Sequence, residues 1–314
     1  MVAPLRVLYF GTPRFAVPTL ERLIASPHEV VGVVTQPDRP RGRGQKVTAS
    51  PVKVVAVAHQ IPVLQPTQLR DAAWLDEVAA LRADIGVVAA YGRILPQALL
   101  DLPPRGLINV HASLLPRWRG AAPIHRAVLA GDDVTGVTIM RVVLALDAGS
   151  MLARIETPIA ADDTSETLEV RLAAVGADLL VKTLDHLSAG PEDEVPQDDT
   201  LVTYAERVQR AESVVNWAQP AARIDRQVRG LQPWPLAVVH VETRSVALLH
   251  SFVVDHESLQ GAPGTIVAAT QDALHVACAP GVLAITQVKP EGRRPMAVRD
   301  FLNGAGPLVG TVLT

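Results

Sequence analysis

Cysteine is almost absent: Cys278 is the only one in 314 residues. A single thiol forms no disulfide within the chain and no cysteine-rich zinc site, which fits a reducing compartment. Aromatic residues make up only 4%, so the core has to rest on Val, Leu, Ile and Ala. No apolar stretch approaches the ~20 residues of a membrane span. The opening Met1-Val2-Ala3-Pro4-Leu5-Arg6 lacks the basic head and apolar centre of a signal peptide. A cytoplasmic protein without membrane contact is expected. The turn Phe10-Gly11-Thr12-Pro13 is poor in glycine, and Pro13 stands where a dinucleotide fingerprint needs its second Gly. That excludes a nicotinamide dehydrogenase. No Gly-x-Ser-x-Gly elbow and no Walker loop occur. His111 and His125 are not at metal-ligand spacing on a helix, so no metal is expected.

What is present is a well-ordered alternation. Hydrophobic residues reach 48% and charged ones 19%, enough for two domains with true cores. Short apolar runs at 5–10, 30–35, 61–64, 84–90, 106–111 and 136–142 read as strands. Helical patterns read at 14–25, 51–59, 71–83, 122–130 and 164–188. Ser50-Pro51 is an N-cap followed by proline at the first helical position. This order implies an α/β, Rossmann-like, mostly parallel sheet with helices on both faces. Ligands of such sheets sit at the carboxyl ends of the strands. Residues 190–205 hold Gly190, Pro191, Pro196 and five acids, a linker composition. Beyond them, five β-like runs between 236 and 288 suit a small OB-like barrel. The expected domains are 1–189, an acidic linker 190–205, and 206–314.

Net charge is −3, yet charge is segregated. Removing the five acids of 190–205 turns −3 into +2. From 39 to 70 every charged side chain is basic: Arg39, Arg41, Arg43, Lys46, Lys53 and Arg70. From 105 to 126 the same holds for Arg105, Arg117, Arg119 and Arg126. The two windows together suggest one positive surface. The loop around Arg39-Pro40-Arg41-Gly42-Arg43-Gly44-Gln45-Lys46 is too long and polar for an ordinary connection. It is either a solvated surface loop or a grip for phosphates.

The strongest chemical signal is Asn109-Val110-His111 at the end of a strand. Alternation puts Asn109 and His111 on one face. An amide can donate to an oxyanion, and an imidazole can move a proton near neutrality, a pairing suited to acyl transfer. Capping of strand-end backbone is the alternative. Asp147, in Leu146-Asp147-Ala148-Gly149, is either a turn residue or a carboxylate for His111.

The run Asn109-Val110-His111-Ala112-Ser113-Leu114-Leu115-Pro116-Arg117-Trp118-Arg119-Gly120-Ala121-Ala122-Pro123-Ile124 resembles the methionyl-tRNA formyltransferases. The resemblance extends to Phe10-Gly11-Thr12-Pro13, Thr35-Gln36-Pro37-Asp38-Arg39-Pro40, Ala90-Tyr91-Gly92, Leu231-Gln232-Pro233-Trp234-Pro235 and Asp300-Phe301-Leu302. It implies direct transfer of a formyl group from 10-formyltetrahydrofolate to the methionyl amine of initiator tRNA. It places catalysis on Asn109, His111 and Asp147. It places folate against Ala89, Ala90, Tyr91, Gly92 and Arg93 and against Ser113, Leu114, Leu115 and Pro116. Transfer RNA is expected at Arg39, Arg41, Arg43 and Lys46, and at Arg207, Arg210, Arg223 and Arg229, on a monomer. Other readings are a formyltransferase for a small amine, such as glycinamide ribonucleotide or an amino sugar nucleotide, and a tRNA binder without activity. The family tends to carry a further Asp, a Gly and another Asp where this chain has Val143, Ala145 and Ser150.

Overall fold

A computed structural model describes residues 3–41, 46–190, 193–241, 243–254, 261–304 and 308–314, side chains 41 and 46 excepted. The chain forms two compact units. One comprises Met1–Pro123, Val134–Pro158 and Glu169–Ala205; the other comprises Ile124–Asp133, Ile159–Leu168 and Glu206–Thr314.

The first unit carries β1 (Arg6–Gly11), α1 (Ala16–Ile24), β2 (Glu29–Val34), the small hairpin β3 (Arg39–Arg41) and β4 (Lys46–Thr48), α2 (Pro51–Ala58), β5 (Val63–Leu64), α3 (Ala72–Ala80), β6 (Ile85–Ala89), α4 (Gln97–Leu100), β7 (Leu107–His111) and β8 (Arg119–Gly120). Past α5 (Pro123–Ala130), which from Ile124 belongs to the second unit, follow β9 (Val134–Arg141), β10 (Met151–Pro158) and the long α6 (Ser165–Ala189), which joins the first unit from Glu169. The main sheet has the order β10-β9-β7-β6-β1-β2-β5. Strands β7, β6, β1, β2 and β5 are parallel. Strand β9 runs antiparallel to β7, and β10 antiparallel to β9; the short loop 142–150 joins β9 and β10 as a hairpin and leaves no room for a crossover between them. The order reverses between β1 and β6, which opens a crevice at their carboxyl ends.

Both faces of the sheet are covered, so central strands are apolar throughout; Val7, Leu8, Tyr9 and Phe10 are fully buried. Leu8, Phe10 and Leu107 pack with Trp74 and Val78 of α3 and Leu99 of α4. On the opposite face α6 comes so close that a Cβ on Gly176 would lie 3.1 Å from Val110. The expected cap is present: the Ser50 hydroxyl accepts from Lys53 N–H at 3.0 Å, ahead of Pro51.

The second unit holds α7 (Ala221–Gly230), β12 (Ala237–Val241), β13 (Arg244–Val254), β14 (Ile266–Ala269), β15 (Leu274–Ala277), β16 (Val282–Pro290), β17 (Met296–Ala297) and α8 (Val298–Leu302). Its antiparallel sheet runs β12-β13-β16-β15-β14, with β17 on β16. Residues 311–314 close that sheet on itself. Ile266 N–H donates to the Thr311 carbonyl at 2.9 Å and Leu313 N–H to Gly264 at 2.8 Å. His240 and Thr314 exchange backbone bonds on the other side. The result is the expected closed antiparallel barrel, in which the tail joins the β12 and β14 edges. Leu313 is 3% exposed within the barrel core. Leu313→Ala is therefore expected to lower unfolding free energy by roughly 2–4 kcal/mol, measured by urea denaturation. An unchanged midpoint would mean that the tail does not close the barrel in solution.

Residues 193–205 are not free of the first unit. Met151 and Val195 bridge in antiparallel fashion, and β11 (Tyr204–Ala205) pairs in parallel with β8. Glu194 binds Arg141 at 2.7 Å and Asp199 binds Arg119 at 3.0 Å.

Candidate active site

Leu107, Asn109 and His111 alternate onto the sheet face covered by α3 and α4. Leu107 joins the core there; the two polar residues follow at the open carboxyl end. His111 is 5% exposed. Its Nε2 lies 2.9 Å from the Trp118 carbonyl oxygen. A carbonyl can only accept, so in the neutral ring the proton sits on Nε2 and Nδ1 keeps a bare lone pair. Nδ1 is 3.8 Å from Asp147 Oδ2. That distance is too long for a direct hydrogen bond but close enough for the carboxylate to stabilise an imidazolium. Asn109 is half-buried, and its amide makes no hydrogen bond to the described residues, so it is free to donate.

Asp147 lies in the loop 142–150 with φ +46°, a left-handed conformation that costs a non-glycine residue roughly 1–2 kcal/mol. Its Oδ2 accepts from Gly120 N–H at 2.9 Å. Gly120 itself has φ +126°, and a Cβ there would stand 2.8 Å from the Ala205 carbonyl oxygen. Only glycine fits that position. One short segment, Trp118 to Gly120, thus sets both the histidine tautomer and the carboxylate.

The turn after His111 is internally bonded. The Ser113 hydroxyl donates to the Arg117 carbonyl at 2.6 Å, and the Thr138 hydroxyl donates to the Ser113 carbonyl at 2.7 Å. Ser113 is fully buried and Leu115 is 1% exposed; Leu114 and Pro116 are half-buried. After β6, Ala89 is buried, whereas Ala90 and Gly92 are exposed with φ +48° and +79°. The Tyr91 carbonyl accepts from the Gln36 amide at 2.8 Å and the Thr12 hydroxyl at 3.3 Å. Burial pushes the Tyr91 phenol above its usual range. Arg93 is fixed by the Pro66 and Thr67 carbonyls at 2.9 Å.

A groove of about 850 Å3 opens beside these residues, lined by Leu69, Leu75, Ile94, Leu95 and Leu144, with Arg70 and Arg93 at its wall. Ile94 is 86% and Leu144 61% exposed. Arg93 is the one folate-site expectation that lines this groove; Ser113, Leu114, Leu115 and Pro116 do not. The groove's outer wall at 68–75 gave no motif in the sequence.

The expected positive surface is reduced by pairing. Arg119 is 6% exposed and bound to Asp199, and Arg105 donates to the Leu187 carbonyl. In the second unit Arg126 grips Glu212 through two bonds, at 2.6 and 3.0 Å, which hold the Glu212 carboxyl below its usual range. Lys53 donates to Asp38 at 2.6 Å and to Gln65 at 2.7 Å, and the Gln65 amide donates to Asp38 at 2.8 Å; the bonds from Lys53 and Gln65 lower the Asp38 carboxyl and anchor the base of the β3–β4 hairpin. Arg39 is exposed. Arg43 and the side chains of Arg41 and Lys46 lie outside the described residues. Arg207, Arg210 and Arg223 are exposed, whereas Arg229 is committed to Asp225 at 2.9 Å and to the Asp163 carbonyl at 2.8 Å. Among the described residues, no group of three or more His, Cys, Asp or Glu gathers as a metal site, and no helix is long and apolar enough to cross a membrane.

The pattern of the Formyl transferase family matches residues 5–184, and that of the Formyl transferase C-terminal domain matches 207–306. A methionyl-tRNA formyltransferase of Hydrogenovibrio crunogenus is 46% identical, over 100% of both chains. Two solved structures share the fold. HypX from Aquifex aeolicus has TM-score 0.66 and 17% identity over 97% of this chain, which spans only 49% of HypX. The N-formyltransferase from Helicobacter canadensis, solved with folinic acid and dTDP-3-aminofucose, has TM-score 0.69 and 18% identity over 91% of this chain and 100% of that one. Two matched domains in this order, an amide–imidazole–carboxylate trio at the sheet's open end, and a relative of full length make the chain a member of the formyl transferase family and, within it, of the methionyl-tRNA formyltransferases.

Proposed function

We infer that this formyltransferase moves a formyl group from 10-formyltetrahydrofolate to the α-amine of methionine on initiator tRNA, in the cytoplasm. The carrying observation is the bare Nδ1 of His111 facing the Asp147 carboxylate at 3.8 Å, with the uncommitted Asn109 amide on the same strand face. An α-amine titrates at about 7.7–8.0, so freeing it needs no strong base. His111 Nδ1 takes the proton as the amine attacks. Asp147 stabilises the imidazolium so formed. Asn109 donates to the oxyanion that develops on the formyl carbonyl, and as that oxyanion collapses the bond from carbon to N10 breaks, the imidazolium of His111 returns its proton to N10, and tetrahydrofolate departs.

The groove suits the donor: apolar walls take a flat aromatic body, and Arg70 and Arg93 suit an anionic tail. Bound there, the folate supplies an activated formyl group. The donor extends from that groove, which Arg93 lines, along Ala89, Ala90, Tyr91 and Gly92. Ser113, Leu114, Leu115 and Pro116 act from behind, by fixing the turn that follows His111. Arg39, Arg41, Arg43 and Lys46 meet the acceptor end of the tRNA. Residues 206–314 take its body, with Arg207, Arg210 and Arg223 on phosphates; Arg229 holds the unit together instead.

The test is a single-turnover assay with 10-formyltetrahydrofolate and three acceptors: charged initiator tRNA, glycinamide ribonucleotide and an amino sugar nucleotide. Product on the tRNA alone is expected. Product on a small amine alone would replace the acceptor but keep the chemistry. Tight binding of tRNA with no product on any acceptor would leave a binding protein.

A further inference from the structure

The loop that presents Asp147 is exposed along 143–146, and Asp147 itself holds an unfavourable backbone conformation. Something must hold it in place. The side chain is held by Gly120 N–H. The backbone is held by a residue fifty positions away. The amide Nε2 of Gln197 donates to the Asp147 carbonyl at 2.8 Å and to the Gly149 carbonyl at 2.8 Å. Its Oε1 accepts from Arg119 Nε at 2.9 Å. Both amide donors and the amide oxygen are therefore used. Between Asp193 and Leu201, Gln197 alone is half-buried and the others are exposed.

Arg119 sits in the middle of the segment that gives the Trp118 carbonyl to His111 and the Gly120 N–H to Asp147. That segment is pinned from the same stretch of chain. Trp118 N–H donates to the Thr203 hydroxyl at 2.9 Å, Arg119 N–H to the Thr203 carbonyl at 2.9 Å, and Ala121 N–H to the Ala205 carbonyl at 2.8 Å.

We propose that Gln197 is a positioning residue of the transfer reaction: it ties the Asp147 loop to the Trp118–Gly120 segment and so fixes the carboxylate against His111. The stretch 193–205 is then a strap belonging to the catalytic centre. The proposal rests on the reading of His111 and Asp147 given above. The chemistry of the clamp specifies an amide. A glutamate at 197 keeps the shape but turns two donors into acceptors facing two carbonyls, so it breaks the clamp without opening a cavity.

The experiment is single-turnover and steady-state formylation of charged initiator tRNA by full-length protein carrying Gln197→Glu, Gln197→Ala, Asp147→Ala and the double change Gln197→Glu with Asp147→Ala, alongside thermal melts. Misplacement of a reacting group by about 1 Å costs on the order of 10²-fold. Gln197→Glu and Gln197→Ala are each expected to lower kcat roughly 10- to 100-fold. KM for both substrates should stay within about 2-fold of wild type, since neither substrate meets Gln197. In the Asp147→Ala background, Gln197→Glu should cost little more, because the carboxylate that the clamp positions is gone. A kcat for Gln197→Glu equal to wild type sinks the proposal. So does an equal loss in both backgrounds, which marks a general folding role, as does a fall in kcat that merely tracks a lower melting temperature. If Asp147→Ala alone matches wild type, the reading of the site fails first, whatever Gln197 does.

Discussion

His111→Ala is expected to slow single-turnover formylation by roughly 10²- to 10⁴-fold, the usual share of a positioned general base, while donor binding stays near wild type. The argument rests on which nitrogen is free. Trp118's carbonyl can accept but not donate, so it fixes the proton on Nε2. Nδ1 is left bare beside Asp147. Near neutral pH part of the substrate is already free amine, yet the attacking nitrogen must still shed a proton as the new bond forms. His111 Nδ1 is the group placed to receive it. Rapid-quench kinetics with charged initiator tRNA measure the rate, and donor titration measures the binding. A wild-type rate in the variant would move proton transfer to solvent. A loss confined to donor affinity would recast His111 as a wall of the folate site.

Much of this centre follows from local pattern. Period-two alternation is enough to pair Asn109 with His111, because a strand permits only two faces. Ser50-Pro51 marks the start of α2 because an N-cap hydroxyl and a proline at N1 act within a single turn. What local pattern misses is long in sequence. Gln197 lies in a run rich in acids and prolines that has the composition of a connector, and nothing near it announces its three hydrogen bonds. Strand β10 escapes detection because most of its residues are half-buried or exposed, so it has no continuous apolar run. The basic windows mislead for the same reason. Arg119 has no acid nearby in sequence, yet Asp199 neutralises it in space.

The departures at Val143, Ala145 and Ser150 read differently once the loop is in view. Val143 is 43% exposed and lies next to Leu144, which lines the groove. A valine there makes no side-chain hydrogen bond, so the loop takes its bonds from its backbone and from Asp147. Ala145 is not among the residues with positive φ, so the backbone does not require glycine at that position. Ser150 keeps the loop closed through its carbonyl, which accepts from Arg141 N–H at 2.9 Å, a bond that any side chain permits. The exchanges therefore fall where the loop depends on its backbone and on Gln197, while Asp147, whose carboxylate faces His111, is kept.

Asn109 is the remaining member of the trio, and its expected effect is nearly as large. Loss of one oxyanion donor costs roughly 10²–10³ in rate. Asn109→Ala should show that loss in kcat with little change in donor or tRNA affinity, because the bond forms only as charge develops. The uncommitted amide is what this requires: a side chain already bonded elsewhere would have to break that bond during the reaction. Asn109→Asp gives the sharper comparison. It keeps the shape but sets a negative charge where the oxyanion develops, so it should be slower than Asn109→Ala, although alanine removes more atoms. If the two variants rank the other way, Asn109 fills space beside the donor, and the oxyanion is stabilised by another group.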